Sequence, residues 1–153
     1  MSIGKYARYI TVAQAYAAYS KYPGTKVGAA IVGARGEPLS SGWNGAARGS
    51  KADEDGRLAD RDTRLMWAVH AEANAIANAA AVGTPVLGGT MVVTLMPCMA
   101  CAKLIVQSGI TRVICPTPTE DTARWATEFE ATRALFKECG VDLVNIATSG
   151  ESE

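Results

Sequence analysis

The triplet His70-Ala71-Glu72 and the pentad Pro97-Cys98-Met99-Ala100-Cys101 constrain this chain more than any other feature. Each stands beside a helix-forming stretch: Met66 to Ala81 is dense in alanine, and Cys98 to Gln107 follows the apolar run Thr90 to Met96. A Cys-x-x-Cys spacing at a helix start puts two sulfurs on one face, a turn apart. The positive end of the helix favours negative charge there and keeps the sulfurs as thiolates, the form that binds metal. His70 and Glu72 are two apart and would diverge on a regular helix. They share a site only if the triplet occupies a helix entry, so the spacing predicts an irregular segment before His70 or a helix that begins near Val69.

One imidazole and two sulfurs fill three corners of a tetrahedral zinc shell and leave the fourth open, the arrangement of a catalytic site. An open corner holds water, which zinc makes acidic enough to supply hydroxide near neutral pH. Glu72 is then a carboxylate that moves protons without being a ligand. The plain alternative is a structural zinc completed by Asp62 or Glu120, and it leaves Glu72 without a task. With His70 the single histidine, a second zinc site is not expected.

At 153 residues the chain is read as one domain, 1–153, with a polar tail over 148–153. Its 15 basic and 15 acidic side chains cancel, which gives no electrostatic footprint for a polynucleotide, though one phosphate could still be held locally. No charged-then-apolar leader opens the sequence and no apolar run reaches membrane-spanning length, so the expectation is a cytoplasmic protein without a membrane partner. The absent leader also argues against disulfides. Cys115 and Cys139 are read as buried thiols acting as small hydrophobes.

Periodicity and turn chemistry predict a helix over Lys5–Tyr19, a hairpin of Lys26–Gly33 with Leu39–Asn44, and a polar loop over Gly45–Asp62. A helix over Met66–Ala81 follows, then a strand over Thr90–Met96 and a helix over Cys98–Gln107. A strand over Arg112–Cys115, a long helix over Asp121–Cys139 and a strand over Val141–Ile146 close the chain. Trp125, Phe129, Phe136 and Cys139 are expected to share the buried face of that last helix. This order implies an α/β fold, a hairpin joined to a mostly parallel sheet with helices on both faces.

The pairing of H-x-E with P-C-x-x-C is the known signature of zinc nucleobase deaminases. Further segments narrow the resemblance: Ser20-Lys21-Tyr22-Pro23-Gly24-Thr25-Lys26-Val27-Gly28, Trp43-Asn44-Gly45, and Cys101-Ala102-Lys103-Leu104-Ile105-Val106-Gln107-Ser108-Gly109-Ile110. With them the chain resembles the deoxycytidylate (dCMP) deaminases from about Lys5 to Ile146. The resemblance implies a cytidine deaminase-like three-layer αβα sandwich around a five-stranded mixed sheet. It also implies hydrolytic deamination of dCMP to dUMP and ammonia, supplying thymidylate synthesis. Carried onto this sequence, it gives zinc held by His70, Cys98 and Cys101, with a zinc-bound hydroxide attacking C4 of cytosine. Glu72 takes the proton of the water, protonates N3 and assists ammonia release. Asn44 bonds the deoxyribose, and backbone near Ala71 reads the pyrimidine edge.

For the phosphate, Lys26, Arg48 and Arg124 are candidates by position, each weighed against a solvated surface charge. The resemblance further implies a homo-oligomer, a hexamer in many relatives, with dCTP and dTTP as effectors. Two departures stand out: Trp43 where relatives carry Tyr, and Met96 where an aromatic is frequent beside the Pro97 position. A thioether at Met96 reshapes the wall near the base and would tolerate 5-substituted cytosines; simple repacking of the core is the blander reading. Trp67 is read as a packing residue. Three alternatives stay open: a cytidine deaminase, a tRNA adenosine deaminase, and a non-enzymatic zinc-stabilised module.

Overall fold

The computed structural model describes residues 3–147, with side chains from residue 6 onward; the tail over 148–153 lies outside the described residues. Helix α1 (Ile3–Ala17) leads into strands β1 (Gly28–Val32) and β2 (Pro38–Trp43). The region expected to be a plain loop contains β3 (Gly45–Ala46) and a 3₁₀ turn at Arg57–Ala59. Then follow α2 (Arg61–Trp67), β4 (Ala68–Val69), α3 (Ala71–Val82), β5 (Thr90–Val93) and α4 (Met99–Gln107). Strand β6 (Arg112–Pro116), a 3₁₀ turn at Glu120–Trp125, α5 (Ala126–Glu138) and β7 (Asp142–Ile146) complete it.

Five of the strands form a mixed sheet in the order β2-β1-β5-β6-β7, and β3 and β4 pair as a separate two-stranded ladder. Strand β1 is antiparallel to both neighbours, whereas β5, β6 and β7 run parallel. All five residues of β1 are buried, as a central strand covered on both faces requires. Alternation along the strands divides the core. Ala29, Ile31, Met91, Val93, Val113 and Cys115 belong to the cluster that takes in α3, α4 and α5. Val32, Val92, Ile114 and Ile146 meet Tyr6, Ile10 and Ala13 of α1 on the other side. The αβα layering read from the sequence is therefore present, with one helix on one face and three on the other.

Two glycines bring helices down onto the sheet. A Cβ at Gly28 would collide with the Ala13 and Ala17 backbone of α1, and one at Gly42 with the Ala71 and Ala75 backbone of α3. Helix α3 is further tied to β2, the edge strand. Asn74 Nδ2 donates to Trp43 O at 2.7 Å, Asn78 Nδ2 to Ser41 O at 2.8 Å, and Ser40 Oγ to Ala75 O at 2.7 Å. The two asparagine bonds occupy edge carbonyls that would otherwise invite another strand.

Three expectations are corrected. The helix expected over Met66–Ala81 is broken, because residues 68–69 pair with β3 (Gly45 opposite Val69, Ala46 opposite Ala68) and leave helical geometry. Cys139 is exposed at the α5 terminus, not buried; Phe129 and Phe136 carry that face, with Trp125 packed at its margin. Trp67 is 45% exposed with the Arg57 guanidinium over its ring, so it is not a core residue.

Gly42→Ala is expected to lower unfolding stability by about 1–3 kcal/mol, the usual penalty for overpacking, because the added methyl meets rigid backbone. Urea denaturation compares the two proteins, and an unchanged midpoint would show that α3 does not rest directly on β2.

Candidate active site

His70 and Cys98 occupy the same place in two different helices. Each is the residue that starts its helix, α3 or α4, in extended geometry: φ −75°, ψ 156° for His70 and φ −71°, ψ 167° for Cys98. Neither makes the side-chain capping bond of an ordinary helix start. Both side chains turn instead toward a common point. His70 Nδ1 lies 3.4 Å from Cys98 Sγ and 3.4 Å from Cys101 Sγ. The triplet does lie at a helix entry, as the spacing required, and the short β3–β4 ladder delivers the chain to it.

These separations test the fit to zinc directly. Zn–N and Zn–S bonds of ordinary length at a tetrahedral angle place nitrogen and sulfur about 3.6 Å apart, close to the 3.4 Å seen here. The donor atoms of His70, Cys98 and Cys101 all lie within 4.8 Å of one another. No fourth Asp, Glu, Cys or His joins this group among the described residues, so neither Asp62 nor Glu120 completes the shell. Burial grades across it: Cys101 is buried, Cys98 half-buried and His70 exposed.

The electrostatics also ask for a cation. Hydrogen bonding with Cys101 draws the Cys98 thiol well below its ordinary value, and the same contact drives Cys101 upward. The pair thus holds one thiolate easily and the second only with compensation. Contact with Cys98 raises the His70 imidazole. Glu72, second residue of α3 and 4% exposed, is pushed up to about 7 by burial. A carboxyl with that value exchanges protons near neutrality.

The remaining predicted residues are spread more widely. Ala71 is fully buried as the first residue of α3. Asn44 is also buried, and its amide serves the fold: Oδ1 accepts from Val27 N–H at 2.9 Å and Ser20 Oγ at 2.8 Å, while Nδ2 donates to Thr25 O at 2.9 Å. The second Nδ2–H has no partner among the described residues. Lys26 is exposed on the segment that Asn44 holds. Arg48 donates to Asn78 Oδ1 at 3.0 Å, two turns along α3 from the metal donors. Arg124 lies in the 3₁₀ turn before α5 with its guanidinium over Trp125.

Met96 is buried, its Sδ 3.6 Å from Cys115 Sγ, and packs in the core. It also borders a cavity of about 170 Å³ that Thr94, Thr117, Thr119 and Thr122 line with it. Reading the residues alone missed Glu128 and Thr132, which bond the backbone around Cys98. Acids at alternate positions of α5 read as a solvated face, and no local pattern marks them otherwise.

Residues 4–117 match the family described as the cytidine and deoxycytidylate deaminase zinc-binding region. An uncharacterized deaminase in the luxG 3′ region of Aliivibrio fischeri is 35% identical over 145 residues, spanning 92% of this chain and 93% of that one. The deoxycytidylate deaminase of Homo sapiens is 39% identical over 137 residues, spanning 87% and 74%. Among solved structures, the dCMP deaminase of cyanophage S-TIM5 in complex with dCMP and dUMP has the same fold. Its TM-score is 0.74 at 23% identity, over 95% of this chain and 99% of that one.

The purified protein is expected to carry about one zinc ion per chain, since one three-donor group is present. Cys101→Ala should lower the bound zinc at least about tenfold. Atomic absorption measures both, and full zinc content in the variant would place the metal elsewhere.

Proposed function

This chain belongs to the cytidine and deoxycytidylate deaminase family, and we propose that it hydrolyses dCMP to dUMP and ammonia. The observation that carries the reading is a buried carboxyl, Glu72, beside a three-donor group of His70, Cys98 and Cys101 with tetrahedral spacing. The similarity to the human deoxycytidylate deaminase supports the substrate. Zinc, when bound, lowers the pKa of a water molecule and stabilises negative charge developing on its oxygen.

The chain's own residues account for the proton traffic. Water adds to C4 of cytosine and the C4–N4 bond breaks. Glu72 takes a proton from that water and gives it to N3; it then carries the proton of the new C4 hydroxyl to N4, so that the carbonyl forms and ammonia departs neutral. Its burial keeps the carboxyl able to hold a proton between these steps. Ala71, the first residue of α3, would read the pyrimidine edge with its backbone. Asn44 offers its remaining N–H to the deoxyribose. Lys26, Arg48 and Arg124 are the candidate phosphate partners; Lys26 and Arg124 are exposed and form no ion pair among the described residues. Met96, at the cavity beside Pro97, is the position at which a 5-substituent on the base would be tested.

The neutral charge balance of the sequence favours a mononucleotide over tRNA. Such a substrate belongs to the nucleotide pool of the cytoplasm. No helix among the described residues is long and apolar enough to cross a membrane. Self-association as a hexamer, with dCTP and dTTP as effectors, completes the proposal. The exposed Leu65, Met66 and Trp67 of α2, with Trp43 and Tyr19, support an interface between copies.

Ammonia release from dCMP, CMP, cytidine and a tRNA anticodon stem, with and without dCTP and dTTP, tests this. Activity on dCMP should dominate, and a zinc-loaded protein inert toward every pyrimidine would end the reading. Glu72→Gln is expected to keep its zinc and lose about 10²–10⁴-fold in kcat, the range for losing a general acid–base group. Zinc loss in that variant would make the carboxylate a ligand instead.

A further inference from the structure

We propose that Glu128 and Thr132, one turn apart on α5, are positioning residues that fix Cys98 as a metal donor by holding the peptide groups on either side of it. The inference rests on the reading that His70, Cys98 and Cys101 hold zinc.

A helix start needs acceptors for its first N–H groups, and a Ser, Thr, Asp or Asn in the capping place normally provides one. Cys98 occupies that place in α4 and makes no capping bond. A sulfur committed to a metal cannot turn back to cap its own helix. The missing acceptor comes from another helix: Glu128 Oε1 accepts the Met99 N–H at 3.0 Å. Four residues on, fully buried Thr132 donates its Oγ1–H to Pro97 O at 3.2 Å. Residues at this spacing lie on the same helical face.

The geometry of the two bonds is what matters. Pro97 O belongs to the rigid peptide plane before Cys98, and Met99 N–H to the plane after it. The only soft backbone dihedrals between those planes are φ and ψ of Cys98. Anchoring both planes to one face of α5 therefore sets the direction of the Cys98 Cα–Cβ bond and leaves the sulfur a single side-chain rotation. Metal donors must be held to within about 0.5 Å to bind well. Among the described residues no side chain of another helix bonds the peptide groups beside His70, which the β3–β4 ladder delivers instead. The half-buried Cys98 is thus the ligand whose place is set by α5. The Glu128 charge also acts on His70, so charge and geometry have to be separated experimentally.

Zinc affinity of the full-length protein, measured by competition with a chromogenic chelator, tests the proposal. Absorption of the cobalt-substituted protein in the sulfur-to-metal charge-transfer region supplies a second readout that a loss of fold stability alone does not move. Glu128→Ala and Thr132→Val should each weaken zinc binding about tenfold or more, the range for residues that orient ligands. The double variant should lose less than the product of the two effects, because both act on one residue. Glu128→Gln, whose amide oxygen accepts the same N–H, should stay within about threefold of the parent. A Gln variant as weak as the Ala variant would assign the effect to charge and overturn the holding role. Unchanged affinity and cobalt spectrum in both Glu128→Ala and Thr132→Val would overturn it too, whatever their melting temperatures. If Glu128→Ala does not fold, Thr132→Val decides: weakened zinc supports the proposal and parental affinity overturns it. Cys98→Ala is the control for the underlying reading. If it keeps zinc at parental affinity, the metal site itself is misassigned; if it loses zinc while the α5 variants do not, only the positioning role fails.

Discussion

Two helix N-termini aimed at one point are the constraint on which this structure depends. Each carries roughly half a positive charge on unpaired N–H groups, and like ends repel unless negative charge lies between them. Here that charge comes from the side chains the sequence places there: the Cys98–Cys101 pair, the Glu72 carboxyl inside α3, and Glu128 reaching over from α5. The arrangement is self-consistent only as a set. The Cys98 thiolate offsets the facing helix ends and is favoured by them, and a divalent cation would supply the compensation that the second thiolate needs. Pro97 and the β3–β4 ladder bring the chain out of regular structure just before each helix, which lets His70 and Cys98 be first residues rather than interior ones.

Much of this was legible in the residues. The succession of helices and strands along the chain, the helix over α4, and the meeting of His70, Cys98 and Cys101 follow from spacing and periodicity. So does the requirement that His70 stand at a helix entry, since two positions cannot face one site from a helix interior. What escaped was tertiary. The His70–Glu72 spacing asks for irregular backbone just before His70 but does not give its cause: Ala68 and Val69 extend because they pair with Gly45 and Ala46. Cys139 matched the apolar period of α5, yet the helix ends there and turns it to solvent. Asn44 stood out only through the family resemblance, and its bonds to Ser20, Thr25 and Val27 depend on the return of β2 beside the chain leading into β1.

The sheet edge shows how the same residues serve fold and site at once. Helix α3 begins with His70 and Glu72 and, one and two turns later, bonds β2 through Asn74 and Asn78. Gly42 removes the side chain that would hold the helix away. The depth of α3 on the sheet therefore fixes the depth of Glu72. The α4 side is set differently, by α5, so the donor group is assembled from two independently supported halves.

Asn44 carries a consequence for how this protein can change over time. Its amide is needed both as acceptor and as donor, a combination that Asp, Leu and Ser cannot reproduce at that length. Because the stretch from Ser20 to Val27 takes its path from this distant side chain, its exposed side chains are not what holds the loop's shape. Lys21, Pro23 and Lys26 can drift in identity while the loop keeps its shape. Ligand preference on that rim can therefore diversify without disturbing the scaffold beneath it.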